Sequence, residues 1–402
     1  MTETAGKRTS WIIMIAIALI VIVVLVVERE QLRLPGQISD ATIVATLGSR
    51  ARPYPSALRA AAAQAHLSPN DQSAALDAAR RYLDYGRATG DARFAGAALG
   101  LLDPWLGPKA EPAALNLAAS ARQYAHDFQG ALALLNRATK INPRDAQALL
   151  SRANINIVQG RFRDAEADCL NLARARRADL ALLCDTTAKA LSKEAPDAYA
   201  RLDRLVASNA IDPALKGYAH SLLAEMARFL ERTQEAGPQF EAARAADPSD
   251  LRTLMIFADF ELASNQPAEA LTVLSSAPPT DSVMVRQAIA AKMLGDASEV
   301  ARLSALLRQR FEEQAALGEA AHAREAARYW LDVAGKPDAA LAAAKANWVN
   351  QRELEDALLF IDAAQAAGQP SAARPVTDWA ASEGVLAPMY LSALDRLESP
   401  KP

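Results

Sequence analysis

A recurring spacing between an alanine and a residue four places later constrains this chain more than any other feature. Five segments carry a clear copy, with a bulky or apolar residue in the later position, and two carry a worn copy. The clear copies begin at Ala95, Ala131, Ala165, Ala236 and Ala270, and the worn ones at Ala340 and Ala373. The anchors at 131 and 165, like those at 236 and 270, are 34 residues apart. A fixed period near 34 residues is typical of stacked helix–turn–helix repeats, which present binding surfaces.

Turn residues extend this pattern along the chain. Glycine or asparagine lies five residues before most anchors, at Gly90, Gly160, Asn265, Gly335 and Gly368. Both residue types tolerate the left-handed backbone that ends a helix. The two gaps in the series are each about two periods long, so we expect a degenerate hairpin near Ala200 and another after Gly295, with a lengthened second helix through Glu313. The sequence therefore predicts about nine hairpins and an almost strand-free fold.

These repeats resemble the tetratricopeptide repeat (TPR) family, although the consensus Trp and Leu-Gly pair of its first helix are missing. The specific matches lie at Ala131–Pro143, Gly160–Cys169, Ala236–Pro248 and Asn265–Pro278. The run from His322 to Arg352 is similar to the C-terminal repeats of a poorly characterised group of bacterial membrane-anchored or exported TPR proteins. The resemblance implies an all-α, right-handed superhelical solenoid that binds a protein or peptide partner.

One apolar segment lies outside the repeats. Residues 11–27 form 17 consecutive apolar residues, the lower end of the length that spans a bilayer as a helix. Trp11 is placed as an interfacial aromatic would be, and no cleavage motif adjoins the segment. Basic residues flank both ends, so their count leaves the orientation open. We expect a single-pass protein of a bacterial inner membrane with the array in the periplasm, and a cytoplasmic array is the alternative.

The resulting domain plan has five parts. It comprises a short tail (1–10), a transmembrane helix (11–27), a linker with a short helix near Ser56–His66 (28–70), the repeat array (71–383) and a C-terminal tail (384–402). This plan leaves no room for a separate catalytic domain.

The sequence offers little for catalysis or for cofactor binding. It contains no HExxH, GxSxG, phosphate-binding loop or dinucleotide fingerprint, and its four histidines are widely separated. We therefore expect no enzymatic activity, no cofactor and no metal site. The formal net charge of −3 is spread along the chain, which argues against a nucleic-acid partner.

The two cysteines, Cys169 and Cys184, are expected in adjacent helices of neighbouring hairpins. In an exported domain they could form a disulfide, worth about 3 kcal/mol for a loop of this length. The alternative is a pair of buried thiols that act as small apolar residues.

Polar residues of the first helices are candidates for a peptide-binding groove on the concave face. The candidates are Asn116, Ser120, Gln123, Asn154, Ser221, Glu225, Arg228, Arg252, Met255 and Asp259. An Asn side chain there could bond both N–H and C=O groups of an extended peptide. An ordinary polar face without a dedicated ligand is the alternative.

Two functions are compatible with these features. The first is a membrane-anchored scaffold or adaptor that binds a protein or peptide during assembly of an envelope complex. The second is an accessory subunit of a membrane enzyme or transporter, with the anchor helix contributing to the contact.

Overall fold

The computed structural model describes residues 55–208, 210–316 and 323–398. The expected membrane anchor at 11–27 lies outside these residues. Within the described part of the chain, no helix is both long and apolar enough to cross a membrane.

The described residues form twenty α-helices and no strand. The helices are α1 (Ser56–Leu67), α2 (Gln72–Thr89), α3 (Arg93–Leu102), α4 (Pro112–Tyr124), α5 (Phe128–Ile141), α6 (Ala146–Val158), α7 (Phe162–Arg174), α8 (Ala178–Lys189), α9 (Ala195–Ala207), α10 (Lys216–Phe229), α11 (Thr233–Ala246), α12 (Leu251–Ala263), α13 (Pro267–Val273), α14 (Asp281–Met293), α15 (Ala297–Ala316), α16 (Ala323–Arg328), α17 (Pro337–Trp348), α18 (Leu354–Ala366), α19 (Arg374–Glu383) and α20 (Pro388–Glu398). A π-helical segment, Tyr329–Val333, continues α16.

Helices α2 to α19 pair in chain order into nine helical hairpins, in agreement with the repeat pattern. We number them hairpin 1 (α2 and α3) to hairpin 9 (α18 and α19). Helix α1 packs on α2, and α20 packs on α18. The all-α solenoid architecture expected from the sequence is thus present in the described residues.

The alanine anchors explain why the hairpins pack closely. All seven anchors have no exposed surface: Ala95, Ala131, Ala165, Ala236, Ala270, Ala340 and Ala373. A methyl group at each anchor lets the helices of a hairpin approach, and the residue four places on fills the space beside it. Phe240 shows this most clearly, since it is fully buried and stacks on Phe257 with ring centroids 5.1 Å apart.

The turn residues also behave as the sequence predicts. Each of the five has a positive φ: Gly90 (69°), Gly160 (68°), Asn265 (58°), Gly335 (62°) and Gly368 (68°). His126 and Glu231 occupy the same place before their anchors and adopt φ of 59° and 56°. The turn geometry of the repeat is therefore kept even where neither glycine nor asparagine is present.

The two degenerate hairpins differ in how well they follow the prediction. The long helix expected after Gly295 is α15, which has 20 residues. In hairpin 4, the anchor expected at Ala200 is only half-buried, and Ala198 and Tyr199 are buried instead. Helix α9 begins at Ala195 with Pro196 as its second residue and without a left-handed turn before it, and its buried face lies two residues earlier than expected.

The array does not end as an open solenoid, because hairpin 9 packs against hairpins 3 and 4. The Trp379 indole Nε1–H donates to the Gly160 carbonyl oxygen at 3.0 Å. The Arg352 N–H donates to the Val158 carbonyl at 2.8 Å, and the N–H of Leu386 donates to the Leu191 carbonyl at 2.7 Å. We call these three hydrogen bonds, with the side chains around them, the closing contact.

Gly160 is the residue that permits this approach. Its φ of +68° disfavours other residues, and a Cβ there would lie 2.9 Å from both Arg352 Cβ and Trp379 Cε2. Trp379 also packs on Phe162 and Trp348, at centroid separations of 6.0 and 5.2 Å. One continuous hydrophobic core consequently runs from hairpin 3 to α20.

The C-terminal end of the array departs from the expected domain plan, whereas the N-terminal end contains the expected short helix. Residues 384–402 are expected to be a tail, but Pro388–Glu398 form α20, where Tyr390 and Ala393 are buried. The short helix expected near Ser56–His66 is α1, and it packs on the array with Leu58 and Ala62 buried. Both terminal helices cover apolar surface that the outermost hairpins would otherwise expose.

Candidate functional site

The predicted groove residues of hairpin 2 lie beside a small cavity. Asn116 and Ser120 line this cavity of about 340 Å³, together with Arg80, Asp84, Leu83, Arg87, Ala113, Leu117 and Gln147. The Asn116 Nδ2–H donates to Asp145 at 2.9 Å, while its Oδ1 is buried without a hydrogen-bond partner. Gln123 and Asn154 are half-buried and lie outside this lining.

The predicted groove residues of hairpin 5 are engaged within the protein. Ser221 is 1% exposed, and its hydroxyl oxygen accepts a hydrogen bond from Thr253 at 3.0 Å. Glu225 is buried and forms an ion pair with Arg252 at 2.9 Å. These side chains therefore connect α10 to α12 and are not free to bind a peptide.

Arg228 reaches hairpin 9 rather than an open groove. Its Nη1 lies 3.5 Å from Glu355 Oε1, and neither atom has a hydrogen-bond partner. Burial raises the pKa of Glu355 to about 7, which the attraction of Arg228 only partly offsets. This pair joins α10 to α18 across the inner face, and its length makes it the weakest of the inner ion pairs.

Asp259 connects three hairpins. Its two carboxylate oxygens each lie 2.6 Å from a guanidinium nitrogen, one of Arg286 on α14 and one of Arg328 on α16. Burial alone would raise the pKa of Asp259, but the two guanidinium groups outweigh it and lower this pKa to about 2. Arg286 also donates to the carbonyl oxygen of Met255 at 3.2 Å.

A further ion pair cluster holds hairpin 8 to hairpin 9. Arg324 contacts Asp356 and Glu353, each at 2.5 Å, and Asn347 donates to Asp356 at 2.6 Å. Sequence reasoning missed these acceptors and arginines. The one available signal was the four-residue spacing of Arg324 and Arg328, which places both on one helix face.

The inner face of the C-terminal half is thus filled by intramolecular ion pairs. An extended peptide could reach Glu225, Arg228 or Asp259 only by displacing a buried partner, and an unpaired buried charge is costly. Arg252 differs, because half of its side chain is exposed and lines the space that the N-terminal hairpins face. We therefore restrict the candidate binding surface to the N-terminal hairpins and to the space they face.

That space is a cavity of about 1520 Å³, larger than the usual range for a small-molecule site. Its walls come from both halves of the array: the turns of hairpins 1 and 2, the starts of α12 and α14, Arg310 of α15, the start of α16, and the connection between α17 and α18. Representative lining residues are Arg87, His126, Asp250, Met255, Arg324 and Gln351. Arg87 and Asp84 also line the smaller cavity, so the two are adjacent.

The charged groups that line the central cavity are largely paired within the protein. The arginines of the cavity are matched by carboxylates: Arg252 by Glu225, Arg324 by Asp356, and Arg310 by Asp281. The described residues contain no group of three or more His, Cys, Asp or Glu side chains that could hold a metal ion. His66, His126 and His220 lie on three different helices or turns, whereas His322 lies outside the described residues.

The sequence allows either a disulfide or two free thiols, and the structure contains the disulfide. Cys169 of α7 and Cys184 of α8 are joined by a disulfide, with Cα atoms 5.4 Å apart, and each residue is 2% exposed. The disulfide connects hairpin 3 to hairpin 4, the two hairpins that receive the closing contact.

We predict that Asp259→Asn lowers the free energy of unfolding by about 3–5 kcal/mol, because two largely buried guanidinium groups lose their shared carboxylate. Chemical denaturation of the full-length chain measures this. The matched control is Glu299→Gln, which breaks an exposed pair with Arg302 and should cost no more than about 1 kcal/mol. Equal effects of the two variants would contradict the structural role of Asp259.

We predict that Glu355→Gln removes a pH dependence from stability. The unfolded chain ionises this carboxyl near pH 4.5, whereas the folded protein keeps it protonated until about pH 7. The native state therefore binds more protons in this window, and the contribution of Glu355 to stability falls as the pH rises from about 4.5 to 7. Denaturation of both proteins at several pH values should show the wild type losing stability relative to the variant across that window. A constant difference would contradict the raised pKa.

Comparison with known proteins shows similarity of fold only. No family model and no curated protein matches the chain. Among solved structures, the chain is similar to the APC/C hetero-tetramer Cut9–Hcn1, with 13% identity, a TM-score of 0.48 and coverage of 82% of this chain. The match spans 64% of that solved chain, slightly less than two thirds.

Two further solved structures are similar at lower scores. A tetratricopeptide repeat protein from Parabacteroides merdae has 14% identity and a TM-score of 0.36, with coverage of 72% of this chain and 97% of that one. Yeast Tom70 has 13% identity and a TM-score of 0.26, with coverage of 80% and 95%. These scores, all below 0.5, carry no argument about function. By its own hairpins, buried alanine anchors and left-handed turns, the chain is a TPR-like helical-repeat protein.

Proposed function

We propose that this protein is a membrane-anchored scaffold that binds a segment of a protein partner in its central cavity. The observation that carries the proposal is the cavity of about 1520 Å³, whose walls come from the turns and inner helices of both halves of the array. Its size suits a polypeptide segment better than a small molecule. Polar and charged lining residues alternate with apolar ones such as Leu251, Met255 and Pro279, as expected of a peptide-binding surface.

The adjoining small cavity extends this surface. Arg87 projects toward both cavities and makes only a loose ion pair with Asp84, at 3.7 Å. Asn116 and Ser120, both half-buried, form part of the polar wall of the small cavity. Of the groove residues predicted from sequence, the proposed site retains Asn116 and Ser120 in the small cavity and Arg252 and Met255 in the central cavity.

We further propose that the apolar segment at 11–27 anchors the chain in a bacterial inner membrane, with the array in the periplasm. The disulfide between Cys169 and Cys184 supports this orientation, since disulfides persist mainly in oxidising compartments. An anchored array would raise the local concentration of partners at the membrane and so favour assembly of an envelope complex. A periplasm-specific reporter fused to the C-terminus should be active, and activity of a cytoplasmic reporter instead would contradict this orientation.

We predict that Arg87→Ala weakens partner binding while Arg81→Ala leaves it unchanged. Both arginines are on α2, both are about half exposed, and both pair with a nearby aspartate. Only Arg87 lines the cavities, so neither change should cost measurable stability and only one should remove a contact.

A photo-crosslinking amino acid at Ser120 or Gln351 in the full-length, membrane-bound protein provides the measurement. The partner captured from both positions is identified by mass spectrometry and then titrated against the purified variants. A partner that is captured equally from an outer-face position such as Arg302, or that binds both arginine variants equally, would contradict the cavity as its site.

A further inference from the structure

The closing contact and the central cavity meet at three consecutive residues. Gln351 lines the cavity. The next residue, Arg352, donates its N–H to the Val158 carbonyl in the closing contact. Glu353 follows and pairs with Arg324, which lines the cavity again. A displacement of the connection between α17 and α18 would therefore move Gln351 directly and Arg324 through its ion pair with Glu353.

The opposite wall belongs to the other end of the array. It is formed by the turn after α2, around Gly90, and by the turn after α4, around His126. Gly90 also lies against Thr280 of the connection between α13 and α14. The Gly90–Thr280 contact joins this wall to the start of α14, and the packing of hairpin 9 on hairpins 3 and 4 fixes the position of the Gln351 side of the cavity.

None of the residues of the closing contact lines the cavity itself. Gly160, Trp379 and Leu386 are all absent from its walls, so a peptide in the cavity would not touch them. Any effect of these residues on binding must therefore act through the position of hairpin 9. Because these residues do not touch the peptide, a change of peptide affinity in their variants reports on the position of hairpin 9.

From this geometry we propose that Gly160 and Trp379 are positioning residues for the central cavity. Their contact holds Gln351 and Arg324 opposite the N-terminal turns, and peptide binding and closure are thereby thermodynamically coupled. A peptide that touches both walls stabilises the closed array, and loss of closure lowers the affinity of the array for that peptide. The inference rests on the proposed function, because it takes the cavity to be a peptide site.

The test uses a short peptide selected from a random phage-displayed library on the full-length chain, with photo-crosslinking to Gln351 as proof that it occupies the cavity. Gly160→Ala should lower the affinity for this peptide by about 5- to 150-fold, the usual range of coupling between sites. The same variant should speed hydrogen exchange at the Arg352 and Leu386 amides, which donate in the closing contact.

Gly295→Ala is the matched control. Gly295 has a similar φ of +76°, but nothing lies within 4 Å of the place its Cβ would take. This control carries the same kind of backbone strain without touching the closing contact, so it should alter neither peptide affinity nor exchange at these two amides.

Trp379→Phe provides a second variant that keeps an aromatic ring but loses the donated hydrogen bond to Gly160 and part of the indole packing on Phe162 and Trp348. It decides the question if Gly160→Ala does not fold. The double variant should bind the peptide no more weakly than the weaker single variant, because both changes act through one contact. Independent, additive losses would point to general weakening of the fold and overturn the positioning role.

The outcomes separate this inference from the function on which it rests. If no selected peptide crosslinks to Gln351 in the wild type, the proposed function fails, and the coupling fails with it. If the peptide crosslinks, and the variants with fast amide exchange bind it as tightly as the wild type, only the coupling is overturned. Unchanged exchange in both variants would likewise overturn the role of Gly160 and Trp379.

Discussion

The close approach of Trp379 to the turn at Gly160 determines the form of the whole array. A helical-repeat chain needs contacts only between neighbouring hairpins, and it can extend without limit. Here a hydrogen bond of 3.0 Å joins residues 219 positions apart in sequence, in a turn where a Cβ would collide with the indole. Through this contact, hairpins 8 and 9 share a hydrophobic core with the middle hairpins, and the connection between them is placed at the wall of the central cavity.

The inner ion pairs hold the first helices of hairpins 5 to 9 together. Most of them join consecutive hairpins, whereas Asp259–Arg328 spans hairpins 6 to 8 and Arg228–Glu355 spans hairpins 5 to 9. Asp259, Glu225 and Asp356 remain acceptable on the inner face because each meets an arginine at hydrogen-bonding distance. The pair between Arg228 and Glu355 is longer, and burial raises the pKa of its carboxyl, so the inner face is least well satisfied where hairpin 5 meets hairpin 9.

The hairpins and turns of this fold are predictable because each repeat has the same spacing of small, apolar and turn residues. The alanine anchors and the residues five places before them fixed the hairpins and their turns, including the long helix after Gly295. The same rules gave the wrong buried residue at Ala200, since Pro196 changes how α9 begins. They also do not identify α20, because this terminal helix lies after the last hairpin and is not part of a repeat.

The binding surface was harder to predict, for a physical reason. Amino-acid spacing shows which residues face the concave side, but it does not show what covers them. Asn116 and Ser120 remain beside open space, whereas Glu225 and Asp259 pair with arginines 27 to 69 residues further along. No local pattern marks Gly160 as the partner of Trp379, since both also satisfy ordinary roles as a turn residue and a core aromatic.

A distance measurement between spin labels on hairpins 3 and 9 tests the closed array most directly. Arg163 and Ser382 are both exposed, and the Arg163 guanidinium donates to the Ser382 carbonyl at 3.3 Å. Labels on cysteines substituted at these two positions would be free of the native disulfide, which occupies both natural cysteines. The structure predicts one short, narrow distance. A long or broad distribution, as in an open solenoid with six hairpin steps between the labels, would contradict it.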